Sequence, residues 1–195
     1  MSMSVEQFLS LSDAEQLQTI KDLNDIGQEE IIIDVLTGVG IDNLSVPLLG
    51  ELGRAYNNND KPEEAIKVFK TIDTEHRDAV WHYRCAYSHG SIASTNHEAY
   101  TSENMQQLLA LVDNGVRLAT KEGRNDIKEY CFEVMDMCRL QMDFEKCEVD
   151  YPDLCLNYSK YIAEKKKKRE GVPRQRTITV EEILATDDMW TINEP

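Results

Sequence analysis

Apolar residues recur every three or four positions along most of the chain, the spacing that places them on one face of an α-helix. Ser12 and Glu15 form a capping-box pattern, and the periodic run that follows them stops at Gly27. Residues 29–36 are rich in isoleucine and valine, but their acidic start and the glycines behind them favour a short buried helix. Later apolar runs predict helices over 44–58, 62–71, 78–87, 103–123 and 126–147, and one from Pro152 into the basic run at 165–169. The predicted fold class is therefore all-α.

The segment 44–71 has the clearest local signals of the chain. Its two helices are separated by Asn59, Asp60 and Lys61, which are typical turn residues. Asp60 is predicted to be the N-cap of the second helix, and Pro62 then occupies the first turn, where its missing N–H has no cost. The two helices are expected to pack as an antiparallel hairpin.

Seven residues of this hairpin fall at offsets 0, 3, 4, 7, 16, 20 and 23, and they are Leu49, Leu52, Gly53, Tyr56, Ala65, Phe69 and Ile72. This pattern resembles a tetratricopeptide repeat, in which small residues stand where two helices touch and larger ones fill the seam beside them. The resemblance implies antiparallel helix pairs in a short right-handed solenoid. The best repeat covers 46–79, and a degraded second repeat starts at 79, with Cys85 and Ala86 in place of Leu52 and Gly53.

A polar insertion at 91–101 separates the two helices of the second repeat. The predicted domains are a helical body over 1–170 and a C-terminal tail over 171–195, because Gly171 and Pro173 end the last helix. In the tail, Thr179 is expected to cap a short turn. The apolar tail residues Ile183, Leu184 and Trp190 could pack back on the body and fill its groove.

The resemblance also implies a concave surface lined by the first helix of each pair. Its exposed positions are Gly50, Arg54, Asn57 and Asn58 on one helix and Tyr83, Arg84 and Tyr87 on the next. Arg54 and Arg84 could hold a partner's carboxylate, the asparagines its backbone and the tyrosines its side chains. The alternative is that both arginines form ion pairs within this acidic chain.

The net charge is −15, and its distribution is uneven. Residues 160–176 hold eight basic and two acidic residues, which leaves 13 basic and 34 acidic residues elsewhere, a net charge of −21. A body this acidic repels phosphate backbones, so nucleic acid is not expected as a partner, whereas a basic protein is. Small acidic immunity proteins that neutralise basic toxins have this character. The basic run at 165–169 complements the dipole of the helix that it ends, or forms a functional patch.

Motifs for enzymatic chemistry are missing from the sequence, which contains no phosphate-binding glycine loop, nucleophile elbow or zinc-protease helix. The best metal candidate is the set His82, Cys85 and His89, which share one helical face; packing in the helix seam is the alternative. No cofactor is expected. The five cysteines lie mostly inside apolar helical patterns, so they are predicted to be reduced and mostly buried.

These observations predict a non-enzymatic module that binds a peptide or partner protein through its concave surface. The alternatives are the immunity-type protein and a metal-dependent regulator or enzyme at His82, Cys85 and His89. No apolar run has the length of a membrane span, and the first ten residues lack a basic signal-peptide start, so a cytoplasmic, membrane-free location is expected. The identity of the partner and the oligomeric state are left open.

Overall fold

The computed structural model describes residues 3–96 and 101–170, without the side chains of 169 and 170. Every regular element within these ranges is helical, as predicted, and no strand occurs in them. The α-helices are α1 (Val5–Leu9), α2 (Asp13–Asp25), α3 (Glu29–Val39), α4 (Val46–Asn58), α5 (Pro62–Lys70), α6 (Ala79–Thr95), α7 (Ser102–Glu122), α8 (Asn125–Met137), α9 (Phe144–Asp150) and α10 (Pro152–Glu170).

Several helix ends follow the predicted capping chemistry. Ser12 donates to the Glu15 carboxylate from its backbone N–H at 2.9 Å and from its hydroxyl at 2.6 Å. Asp78 accepts a hydrogen bond from the backbone N–H of Trp81 at the start of α6, and Gly123 ends α7 in the left-handed conformation at φ 71°. These helix ends are determined locally, because each depends on residues within one turn.

Three predicted details are wrong. The polar insertion at 91–101 does not fully separate two helices, because α6 continues to Thr95. Asp60 is not the N-cap of α5: Lys61 occupies that position, and Asp60 takes a positive φ of 51°, which aspartate tolerates in tight turns. The single helix predicted over 126–147 is two helices, α8 and α9, with a 3₁₀ turn at Arg139–Gln141 between them. Asp143 explains the break, because its side chain accepts from the backbone N–H of Lys146 and starts a new helix there.

Three helices start at equal distances along the chain: α2 at Asp13, α4 at Val46 and α6 at Ala79. We call this constant spacing of 33 residues the repeat interval. The helices that follow the first two, α3 and α5, start at 29 and 62 and keep the same interval. Each of α2, α4 and α6 contacts the next of the three, and α3 and α5 pack between them. Helices α7 and α8 continue the packing against α6 but do not keep the interval.

The contact between α4 and α5 depends on a missing side chain. A Cβ at Gly53 would overlap the ring of Phe69, which is fully buried. Gly53 and Phe69 therefore play the seam roles predicted for them, since the aromatic ring lies directly on the helix backbone. The same core contains Ile20 and Leu36 from the first pair and Leu52 from the second.

The chain divides into two compact units, Met1–Tyr158 and Ser159–Pro195. In the second unit the described residues belong to the end of α10, where Lys165 lies 4.7 Å from the ring centroid of Tyr161. The predicted tail at 171–195, with Thr179, Ile183, Leu184 and Trp190, lies outside the described residues. Among the described helices none combines the length and apolar character needed to cross a membrane.

Candidate functional site

A groove of about 840 Å³ runs along α2, α4, α6 and the start of α8. It is open along one side of the first unit, and three of its walls come from helices that start one repeat interval apart. All six residues predicted for partner binding lie along it: Arg54, Asn57, Asn58, Tyr83, Arg84 and Tyr87. The six residues therefore line one groove.

Arg84 forms a buried ion pair inside this groove. Its Nη2 lies 3.0 Å from Glu51 Oε1, and its Nη1 donates to the carbonyl oxygen of Gly50 at 2.9 Å. The side chains of Arg84 and Glu51 are only 17% and 7% exposed. Asn24 donates to the other carboxylate oxygen of Glu51 at 2.9 Å. Arg84 is consequently engaged within the chain, as the ion-pair alternative anticipated, and Glu51 is a groove residue that sequence reasoning missed.

Arg54 is paired more loosely at the groove wall. Its Nη2 lies 2.9 Å from Asp25 Oδ1 and its Nη1 lies 3.6 Å from Glu51 Oε2. The side chains of Arg54 and Asp25 are 32% and 65% exposed, so water screens this pair. Asn58 beside it donates to Glu29 at 3.4 Å. Arg54 is therefore the more accessible of the two arginines.

One hydrogen bond is repeated between successive helices. The side-chain amide of Asn24 donates to the carbonyl oxygen of Glu51 at 3.2 Å, and that of Asn57 donates to the carbonyl oxygen of Arg84 at 3.0 Å. Glu51 and Arg84 are 33 residues apart, which is the repeat interval, and the same interval separates Asn24 from Asn57. Ser88 also donates to Asn57 Oδ1 at 2.7 Å. Asn57 thus fastens α4 to α6 instead of presenting its amide to a partner.

Three tyrosines form an aromatic surface at the α6–α8 end of the groove, and we call Tyr83, Tyr87 and Tyr130 the tyrosine shelf. The rings of Tyr83 and Tyr130 stack at 5.2 Å, and Tyr87 meets Tyr83 edge-on at 6.4 Å. Burial, followed by the neighbouring tyrosines, raises the pKa of Tyr83 to about 12, so its hydroxyl stays protonated. Tyr87 and Tyr130 are 36% and 44% exposed. Tyr130 was not predicted, because only packing brings α8 against α6.

The charges along the groove are nearly balanced. Arg124 and Asp126 form a third pair at 2.7 Å, and the hydrogen bond from Arg124 lowers the pKa of Asp126 to about 2. Lys21 has no ion pair with the described residues. The groove is therefore much less acidic than the chain as a whole.

The proposed metal set does not assemble. Among the residues that the structure describes, no group of three His, Cys, Asp or Glu side chains is placed to hold a metal ion. His82 and His89 each have a buried ring nitrogen without a hydrogen-bond partner in the described part of the chain, and burial lowers the pKa of both. Burial likewise raises the pKa of Cys85 to about 11. Cys85 and His89 are buried, as the packing alternative held for these two residues, and His82 is half-buried.

Comparison with known proteins does not assign the chain to a family. No family model matches it, and neither the curated proteins nor the solved structures contain a significant match. The likeness to tetratricopeptide repeats thus rests on the residues between 49 and 72 and on the repeat interval of the helix starts.

Proposed function

We propose that the first unit is a non-enzymatic protein-interaction module of the tetratricopeptide-repeat type, whose groove holds an extended segment of a partner protein. The observation that carries the proposal is the repeated asparagine bond, Asn24 to Glu51 and Asn57 to Arg84. Its interval is close to the roughly 34-residue unit of such repeats. Stacked helix pairs of this kind form extended concave surfaces, and those surfaces are used for binding.

The tyrosine shelf is the anchor of the proposed site. Arg84 and Asn57 have their hydrogen-bonding groups engaged by Glu51, Gly50 and Ser88, so a partner would have to break buried bonds to use them. Tyr87 and Tyr130 are instead 36% and 44% exposed, and their ring contacts with Tyr83 hold them in place. A rigid aromatic surface offers large contact area with little loss of side-chain entropy on binding.

The favoured occupant is a basic segment, with lysine or arginine side chains lying on the shelf. A cation over the face of a tyrosine is attracted by the ring, typically by about 0.5–2 kcal/mol. Asp25 lines the same groove and is more than half exposed, so it can accept a further cationic partner. The net charge of −15 would also speed the approach of a basic protein from solution.

The test is a selection from a random peptide library displayed on phage, with the full chain immobilised. We expect the enriched peptides to contain lysine or arginine next to apolar residues. The same selection on a Tyr87→Ser/Tyr130→Ser variant should lose this enrichment. A Leu140→Ser/Val149→Ser variant is the matched control, because it removes two exposed apolar side chains that lie outside the groove.

The outcomes separate the groove from the rest of the acidic surface. Enrichment that survives in the tyrosine variant but disappears at high salt would contradict the groove and support an immunity-type protein that captures a basic partner by charge alone. Enrichment of acidic peptides would contradict a basic occupant and would support the role predicted for Arg54 from the sequence, which is to bind a carboxylate of the partner. Failure to enrich any peptide on wild-type protein would overturn the interaction proposal.

A further inference from the structure

Two of the five cysteines face each other across a helix boundary. The Sγ atoms of Cys147 in α9 and Cys155 in α10 are 2.8 Å apart, and both residues are buried within the first unit. The other three cysteines, Cys85, Cys131 and Cys138, are also buried, but within the described ranges their thiols form no hydrogen bond to a second sulfur atom; Cys138 points at the carbonyl oxygen of Gly90 instead. The chain therefore contains one thiol pair and three single thiols, and all five thiols are buried, so the single thiols serve as internal controls for the pair.

Cys147 also borders a second cavity, of about 420 Å³, between α7 and the start of α9. Its lining is mixed: Met105 and Leu109 come from α7, and the polar groups of Asp143, Lys146 and Asp150 come from the segment around α9. A cavity of this size with polar walls admits water and small solutes. The sulfur pair thus lies in the interior but next to a space that a small oxidant can enter.

We propose that Cys147 and Cys155 are a redox-active pair that a peroxide converts into a disulfide. The thiolate of one cysteine attacks an oxygen of hydrogen peroxide, forming a sulfenic acid and releasing water once the leaving hydroxide is protonated. The second thiol then attacks the sulfenic sulfur, the S–S bond forms, and a second water leaves. Two thiols are oxidised, one peroxide is reduced to two waters, and no further reactant is needed.

The neighbouring thiol makes this pair different from a single buried cysteine. A sulfenic acid formed at Cys147 has a resolving thiol at contact distance and proceeds to the reversible disulfide. Burial, together with the hydrogen bond between the two sulfurs, raises the pKa of Cys147 to about 12, so the first step is slow at neutral pH. This inference is independent of the groove, because none of the residues named for it lines the groove.

The disulfide would join α9 to α10 across the turn at Tyr151 and Pro152. Closing this short loop removes conformational freedom from the unfolded chain and resists opening of the C-terminal end of the first unit. We expect oxidised protein to melt about 5 °C above reduced protein.

The experiment uses the full-length chain, first reduced and then treated with hydrogen peroxide. After denaturation and alkylation, trypsin cuts behind Lys146 and Lys160 and releases both cysteines in one peptide, 147–160. We expect this peptide to carry no alkyl group and to be lighter by two hydrogen atoms than the reduced, unalkylated peptide. After reduction with dithiothreitol and a second alkylation, it should carry two alkyl groups. Peptides with Cys85, Cys131 and Cys138 should be fully alkylated in the same sample.

A Cys155→Ser variant and its matched control Cys138→Ser sharpen the result. Cys138→Ser should keep the peroxide-dependent rise in melting temperature, and Cys155→Ser should lose it. If Cys155→Ser does not fold, the wild-type peptide decides alone. Alkylation of Cys147 and Cys155 to the same extent as the three single thiols after peroxide, or their irreversible oxidation to sulfinic acid, would overturn the proposal.

Discussion

Helices α2 to α6 and helices α7 to α9 both bury apolar side chains but are joined by different contacts. In the first region, side-chain amides and a buried ion pair connect α2 to α4 and α4 to α6 at the repeat interval. In the second, the buried seam is rich in sulfur, with Met135, Cys131, Cys138, Met142 and Cys147. Directional bonds fix a spacing, whereas thioether and thiol side chains adapt to the space available. The interval is kept only in the first region, because extra residues between the starts of α6 and α7 delay α7.

The largest effect should come from breaking the buried ion pair between Glu51 and Arg84. Glu51→Ala leaves the Arg84 guanidinium buried without its carboxylate, and Asn24 loses a partner, so we expect a loss of about 3–5 kcal/mol in the free energy of unfolding. Urea denaturation measures it. Asp25→Ala, which opens the exposed pair with Arg54, should cost less than about 1 kcal/mol. Equal losses in the two variants would show that the first region is not held by its buried pair.

Two glycine substitutions compare the rigidity of two helix contacts: that of α4 with α5 inside the first region, and that of α6 with α8 where the first region meets the second. Gly53→Ala places a methyl group into the ring of Phe69, and we expect a loss of about 1–3 kcal/mol because the ring cannot move aside. Gly90→Ala brings its methyl group to 2.6 Å from the terminal methyl of Met137, which can rotate away. Val134 Cγ1 at 3.2 Å and Cys138 Sγ at 3.3 Å need only small shifts, so the loss should be smaller. Thermal and urea unfolding of both variants measure which substitution loses more stability.

Gly50→Ala is the control on the same helix as Gly53. Its added methyl group would lie 3.5 Å from Arg84 Nη1, an ordinary contact, and alanine favours the helix, so stability should rise by up to about 1 kcal/mol. If Gly90→Ala costs more than Gly53→Ala, the contact between α6 and α8 is stiffer than the contact between α4 and α5.

The repeated asparagine bond predicts matched effects. Asn24→Ala removes the bonds to the carbonyl and carboxylate oxygens of Glu51, and Asn57→Ala removes the bonds with the carbonyl oxygen of Arg84 and the hydroxyl of Ser88. Each substitution should cost about 1–3 kcal/mol. Similar losses in urea unfolding are expected, since both bonds join equivalent positions of neighbouring helices. If either substitution leaves the free energy of unfolding unchanged, the two asparagine bonds are not equivalent. That result would contradict the proposed repeat.

The smallest effect concerns pH and arises at the boundary of the two regions. Burial lowers the pKa of His82 and His89 in the folded protein, so the unfolded chain binds more protons below the ordinary pKa of 6.5. The contribution of these residues is present above that pKa and is lost as the pH falls below it. Urea unfolding at pH 7.5 and pH 5.5 should therefore show lower stability at pH 5.5, and His89→Gln should reduce the difference. An unchanged difference in His89→Gln would contradict this assignment.

The sequence predicted the hairpin of α4 and α5 and the location of the groove because the signals are local. Gly53, Phe69 and Pro62 lie within one repeat, and each has a direct steric or capping role. In the first helix pair, Ile20 stands one repeat interval before Gly53, so the small residue of the pattern is missing there. The regular spacing of this pair becomes visible only from the helix starts.

The partners of the groove arginines could not be assigned from sequence. Whether Arg84 is free depends on Glu51 in another helix, and the burial of Glu51 depends in turn on Asn24 in a third helix. Tyr130 reaches the shelf through the packing of α8 on α6, for which the irregular interval gives no sequence signal. Local chemistry thus predicts elements and faces, and pairings between distant helices require the fold.

The measurement that tests the central claim most directly is the dissociation constant of one selected basic peptide for three forms of the full chain: wild type, Tyr87→Ser/Tyr130→Ser and Leu140→Ser/Val149→Ser. Circular dichroism melting first establishes that all three are folded. The tyrosine shelf predicts at least about tenfold weaker binding to the tyrosine variant, a loss of about 1.4 kcal/mol, and unchanged binding to the control. Equal affinity for wild type and the tyrosine variant would contradict the groove as the binding site.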